Sequence, residues 1–192
     1  LKTGHVLLGL GIYLLWRRRQ RYDDWYEGDG QVVYIPVAPV PSENDVMRFR
    51  EIMMSEGQSQ GIEPAVIASI IAQESEGIPS KVNGAYIGLM QISLETAAWR
   101  GYSGNASGLL DPATNIKWGT NYLAYQYKRY GGITDAIAAY NAGRVRYDAS
   151  GNYTNQSYVN GVFSMIPRFR GLFASIYAGY ARIFLKGQVI TA

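Results

Sequence analysis

Val66–Ala97 reads VIASIIAQESEGIPSKVNGAYIGLMQISLETA. Val66, Ile67, Ile70 and Ile71 recur at spacings of one, three and four, the periodicity of a helix face. Glu74 lies four residues after Ile70 and three after Ile71, so that apolar face ends on a carboxylate. Gln73 and Glu76 point elsewhere. Pro64 suits a first helical turn, and Gly77 followed by Pro79 ends the helix. A carboxyl among apolar side chains resists ionisation, and the negative end of the helix dipole resists it further. Both effects predict that Glu74 keeps its proton near neutral pH, as a general acid must. A structural glutamate, bonded to backbone N–H groups or to an arginine, is the other reading of the same stripe.

Composition narrows the chemistry. The 192 residues are 47% hydrophobic, enough for one compact domain with attachments. There is no cysteine, which excludes disulfides, thiolate metal sites and thiol nucleophiles. The one histidine, His5, lies in the N-terminal apolar segment, which leaves little for a Ser-His-Asp triad or a zinc hydrolase. Carboxylate chemistry is what remains, and the sequence asks for no cofactor and no metal. The formal net charge of +3 suits an anionic polymer such as cell wall, a membrane surface or a nucleic acid. Sixteen tyrosines offer flat apolar rings with polar tips, suited to sugar rings and to membrane interfaces.

Four segments follow from the pattern along the chain. Residues 1–21 form a hydrophobic segment with a basic flank. Val6–Trp16, VLLGLGIYLLW, is apolar on every side, and Arg17, Arg18, Arg19 and Arg21 follow at once. As a helix that run is roughly 17 Å long, short of the roughly 30 Å of a bilayer core. An uncleaved membrane segment with interfacial arginines is expected, with a signal-peptide core or a helix packed in an assembly as the other readings. Such a segment would put the rest of the chain on the cytoplasmic side by the positive-inside rule, and a component built into a virion escapes that conflict. Residues 22–45 read as a linker, acidic and then punctuated by Pro36, Pro39 and Pro41, with an extended stretch at Gln31–Val37. Residues 46–166 read as a helical domain. Within it are a helix from Ser42–Asp45 to about Glu56, a helix opened by Asp111-Pro112 and ended before Gly131-Gly132, a helix over Asp135–Asn141 capped by Thr134, and a helix over Gln156–Met165 stopped by Pro167. Residues 167–192 carry a C-terminal hydrophobic helix, Gly171–Leu185, expected to pack in the core, with a second membrane or partner contact as the alternative.

Three separated pieces resemble one family in order and spacing. They are Gln73-Glu74-Ser75; Gly88-Leu89-Met90-Gln91 with Thr96-Ala97; and Ala138-Ala139-Tyr140-Asn141-Ala142-Gly143. Leu110-Asp111-Pro112 with Asn115-Ile116 and Gly119 supplies a fourth between the last two. Together they resemble the catalytic domain of soluble-type lytic transglycosylases, over roughly Glu63 to Val162. The resemblance implies a mainly α, lysozyme-like domain that cleaves the bond between N-acetylmuramic acid and N-acetylglucosamine in peptidoglycan. It implies one catalytic carboxyl, at Glu74, which protonates the glycosidic oxygen and then takes the proton of the muramic C6 hydroxyl, closing a 1,6-anhydro ring without water. Ordinary glycosidases use two carboxylates.

The resemblance assigns further residues to substrate. Gln91 is placed in the glycan groove, where a side-chain amide can donate to and accept from an acetamido group. Tyr140 and Asn141 are placed beside the catalytic carboxyl. Ser75 either bonds near the acid or caps its own helix. Gly88 allows a tight turn or a close approach of sugar, Met90 reads as core, and Tyr122, Tyr125 and Tyr158 are candidates to line the groove. The family often has Gly-Ala before its Gly-Leu-Met-Gln and Met-Pro after Gln-Ile; here Ala85-Tyr86-Ile87 and Ser93-Leu94 stand in those places. The expected partners are glycan strands, with a membrane or virion-assembly contact through residues 4–21 and no specific nucleic acid. The expected setting is a phage virion acting in the bacterial envelope during genome entry, or else the bacterial inner membrane or periplasm. A lysozyme-type hydrolase and an inactive glycan-binding or virion structural module remain open as other activities.

Overall fold

The computed structural model describes the backbone over residues 43–188 and side chains over 45–175. The apolar segment and basic flank at 1–21, the contact expected through 4–21, and the linker up to residue 42 lie outside the described residues. The described part is mainly α, as expected. Its helices are α1 (Glu43–Met47), α2 (Arg50–Gln60), α3 (Pro64–Ser75), α4 (Leu94–Trp99), α5 (Pro112–Tyr130), α6 (Ile133–Ala142) and α7 (Gln156–Gln188). A 3-10 turn, Ala106–Leu110, precedes α5. No helix among the described residues is long and apolar enough to cross a membrane.

α3 is the axis of the core. Pro64 occupies its first turn, and Ala65 through Ala72 are all buried, so the helix is covered on every side rather than along one stripe. α7 runs antiparallel to it: Tyr158 meets Glu74 at the C-terminal end of α3, and Arg170 meets Glu63 at the N-terminal end. Val159, Val162, Ile166, Phe169 and Phe173 bring one face of α7 into the same core. α2, α5 and α6 close the rest of the cluster through Met53, Ile116, Leu123 and Ile137.

The helix starts and stops follow local chemistry. Asp111 caps α5 by accepting from the Thr114 amide at 2.8 Å, and that bond holds its carboxyl below the usual aspartate range. Gly131 ends α5 in the left-handed conformation. Elsewhere the structure departs from the sequence expectation. The first predicted helix is two helices, broken at Arg48-Phe49 and extended to Gln60. α6 begins at Ile133, with Gly132 rather than Thr134 in the capping position. Pro167 does not stop a helix, since α7 runs through it to Gln188. Ile166 and Phe169, buried on either side of the proline, hold the backbone helical where its missing N–H would otherwise end the run.

The structure also contains a sheet that helical periodicity did not predict. Three two-residue strands, β1 (Val82–Asn83), β2 (Tyr86–Ile87) and β3 (Ile92–Ser93), pair antiparallel in that order. Val82 pairs with Ile87 and Ile87 with Ile92. The sheet sits over a second, smaller cluster of Ile87, Ile92, Ala97 and Leu109.

Candidate active site

The sheet and the last turn of α3 converge on the Gly88–Gln91 turn. Asn115, fully buried on α5, holds that turn from inside. Its Oδ1 accepts from the Met90 amide at 2.7 Å, and its Nδ2 donates to the carbonyls of Ile87 and Leu109 at 2.8 and 2.7 Å. Gly88 has φ +75°, and a Cβ there would lie 2.3 Å from Asn115 Nδ2 and 2.6 Å from the Leu109 carbonyl oxygen. The left-handed φ and the close packing each require a glycine here. Met90 is fully buried, as expected of core, and packs where a side chain at Gly119 would stand.

Glu74 is half-buried in the last turn of α3. Its Oε1 accepts from the Tyr158 hydroxyl at 2.7 Å. Burial pushes the Glu74 carboxyl above the usual glutamate range, while the Tyr158 bond and the Lys81 ammonium draw it partly back. Lys81 is itself paired with Glu76, 3.6 Å away. Among the described residues no second acid shifts Glu74. The Tyr158 and Tyr140 hydroxyls are both raised well above the usual tyrosine range, by burial first and then by the nearby Glu74 charge. Both therefore stay protonated. Glu76 and Gln91, at φ +58° and +45°, are the two non-glycine residues in the left-handed region among those described, and they flank this place.

The other residues expected at the site divide by what their polar atoms do. The Tyr140 hydroxyl donates to the Met90 carbonyl at 2.7 Å, so it fixes the turn, while Tyr158 is the tyrosine bonded to the acid. The Gln91 amide donates to the carbonyls of Lys81 and Gly88 at 3.0 and 2.7 Å, and among the described residues nothing donates to its Oε1. Asn141 is exposed at the end of α6, its Oδ1 accepting from Asn155 at 2.9 Å. Ser75 is fully buried and its hydroxyl donates to the Ile71 carbonyl at 3.1 Å, a local bond within its own helix. Tyr122 packs on the Tyr140 ring, with centroids 5.3 Å apart. The structure thus brings Glu74, Tyr140, Tyr158 and the Gln91 turn together and sets Ser75 apart.

A separate hollow of about 330 Å³ lies at the other end of α3, lined by Ile62, Val66, Phe163, Ile166 and Pro167. Its acid, Glu63, is paired with Arg170 at 2.6 and 2.7 Å, which holds the carboxyl below the usual range. Of the two carboxyls, burial raises the one at the Glu74 end and the arginine lowers the one here.

Sequence reasoning missed two residues of the arrangement. Tyr158 was expected only as a groove tyrosine, and Asn115 was noted only as part of a motif. A fully buried asparagine needs several partners, and its place beside Ile116 on an apolar stripe was the available signal. Tyr158 gave none, because its partner is 84 residues away.

Residues 51–160 match the family described as the transglycosylase SLT domain. An endo-type membrane-bound lytic murein transglycosylase A of Cronobacter sakazakii is 37% identical over 86 residues, which cover 41% of this chain and 42% of that protein. A transglycosylase of Enterobacteria phage PRD1 is 29% identical over 98 residues, 50% of this chain and 36% of that one. Among solved structures, the 70 kDa soluble lytic transglycosylase of Escherichia coli aligns with a TM-score of 0.59 at 26% identity, over 66% of this chain and 25% of that chain. The chain spans less than half the length of these relatives. With the match covering more than half of its residues, and with the lysozyme-like fold of its structural neighbours, the chain belongs to the transglycosylase SLT family.

Proposed function

We propose that the chain is a peptidoglycan lytic transglycosylase that cleaves the N-acetylmuramic acid–N-acetylglucosamine bond and leaves 1,6-anhydro ends. The observation that carries this reading is the half-buried carboxyl of Glu74 at the end of α3, bonded by the Tyr158 hydroxyl at 2.7 Å and raised by burial, with no second acid acting on it among the described residues. A glycosidase that works with a close carboxylate pair would show mutual perturbation of the two.

With Tyr158 donating to Oε1, the proton of neutral Glu74 resides on Oε2. Glu74 passes it to the glycosidic oxygen as the bond to the muramic C1 breaks. The resulting carboxylate is stabilised by the Tyr158 hydroxyl and by Lys81. It then takes the proton of the muramic C6 hydroxyl as that oxygen bonds to C1, which restores the neutral acid. Gln91 Oε1 is available to accept from an acetamido N–H, and Tyr140 keeps the turn bearing it in place. Asn141, exposed at the end of α6, completes the proposed contacts.

Digestion of purified sacculi tests the proposal. Glu74→Gln is expected to abolish release of soluble fragments while circular dichroism stays unchanged. Fragments from the unaltered chain are expected to be lighter by one water than those with reducing ends. Reducing-end products would replace this reading with a hydrolase, and an active Glu74→Gln variant would remove the acid from the mechanism.

For the setting we propose a phage particle, with the enzyme opening the wall during genome entry and residues 4–21 contacting a membrane or the virion. The similarity to the phage PRD1 transglycosylase supports it, as does the apolar run followed directly by Arg17–Arg21. Mass spectrometry of purified particles is expected to find the chain; its absence there would return the setting to the bacterial envelope.

A further inference from the structure

α4 ends on an aromatic corner that the proposed chemistry does not use. Trp99 is 57% exposed and meets Tyr125 edge-on, with ring centroids 4.7 Å apart and planes at 89°. The Arg100 guanidinium stands in that corner, its Cζ 5.1 Å from the Trp99 centroid and 4.8 Å from that of Tyr125. Its Nε donates to Asn121 Oδ1 at 2.9 Å. Two rings and one amide thus fix the guanidinium, and all three are neutral. Among the described residues no carboxylate pairs with Arg100 and nothing accepts from its terminal nitrogens. Arg50 and Arg170, by contrast, pair with Glu51 and Glu63.

A cation held by neutral groups keeps its charge for a ligand, and its planar fork matches a carboxylate. An exposed indole beside it offers a flat apolar face to a sugar ring. Peptidoglycan carries both chemistries close together, because carboxylate-bearing peptides hang from its pyranose rings. A nucleic acid fits less well, since Glu95 lies one turn before Trp99 on the same helix and would repel a phosphate. Tyr122 links the corner to the acid's surroundings, 6.4 Å from Trp99 and 5.3 Å from Tyr140, ring to ring.

We propose that Trp99, Arg100 and Tyr125 form a second contact for the wall polymer, at which a sugar ring stacks on Trp99 and a stem-peptide carboxylate pairs with Arg100. This rests on peptidoglycan being the substrate, and it makes the enzyme selective for strands that still bear their peptides.

The test uses the full chain carrying Glu74→Gln, so that bound strands are not consumed. Calorimetry measures its affinity for soluble glycan strands with their peptides and for the same strands stripped by an amidase. Arg100→Ala is expected to weaken binding of the peptide-bearing strands about tenfold and that of stripped strands less than about twofold. Trp99→Ala is expected to weaken both. Arg100→Gln, which keeps an amide at the corner, should behave as Arg100→Ala, and unchanged melting of both variants ties the loss to the guanidinium. Equal losses on the two strands, no loss on either, or Arg100-dependent binding to phosphatidylglycerol vesicles in place of strands would overturn the proposal. Selective binding by a chain that never cleaves sacculi would sink the catalytic reading alone.

Discussion

At position 74 a carboxyl and a phenol from two different helices share one hydrogen bond of 2.7 Å. That bond opposes the effect of burial on Glu74. Tyr158→Phe should therefore raise the Glu74 pKa further and move the alkaline limb of kcat/KM upward, while kcat falls about tenfold for loss of a bond to the charged form. A pH profile of both proteins checks this, and an unmoved limb would mean that the hydroxyl does not act on the acid. Burial also gives Glu74 a stability signature. Its folded pKa lies above the unfolded value, so the folded protein binds more protons between the two, and stability falls as pH rises through that window. Glu74→Gln should then melt higher than the unaltered chain at pH 8, with the difference shrinking as pH falls through the window, as followed by calorimetry. The elevated acid was legible in the sequence because its causes, an apolar stripe and a helix end, are local. The hydroxyl that holds it was not, because no spacing rule reaches from residue 74 to residue 158. Tyr140 shows the same limit: its motif was recognisable, but only the fold reveals that its hydroxyl serves the Met90 carbonyl.

Among elements, those bounded by strong local signals were read well. Pro64, Asp111-Pro112 and Gly131 mark helix ends by sterics and capping that need no tertiary context. The three strands were not read, since two residues each are too few to show a period of two. Register in so small a sheet rests on what holds it from outside, here Asn115. Asn115→Ala would orphan the Met90 amide and two carbonyls, and should destabilise by about 3 kcal/mol or more; urea melts measure it. Pro167 was misread because packing outweighs a local breaker. Its cost is still present: the chain lacks one donor in the α7 ladder at an exposed position. Pro167→Ala should stabilise by up to about 3 kcal/mol, visible as a higher urea midpoint.

The described part of the molecule holds a large cluster around α3 and a small one beneath the sheet. Apolar burial scales the resistance to opening, so the two should not exchange alike. Amides of residues 67–72 are expected to exchange only by global unfolding, and those of residues 86–93 faster, through local opening. Hydrogen exchange followed by mass spectrometry distinguishes the two, and equal protection would show a single cooperative unit. The α3 part of the large cluster was foreseeable from its apolar stripe, and Met90 from its motif. The small one was not, because Ile87, Ile92, Ala97 and Leu109 come from four short pieces with no common rhythm.

The antiparallel union of α3 and α7 has a consequence for how the protein is made. The residue that gives the proton is translated 84 positions before the residue that steadies it. A nascent chain emerging from the ribosome thus carries its acid for seconds before the clasp arrives, and truncation anywhere ahead of Tyr158 would take from α3 both that hydroxyl and the apolar face of α7 that covers it.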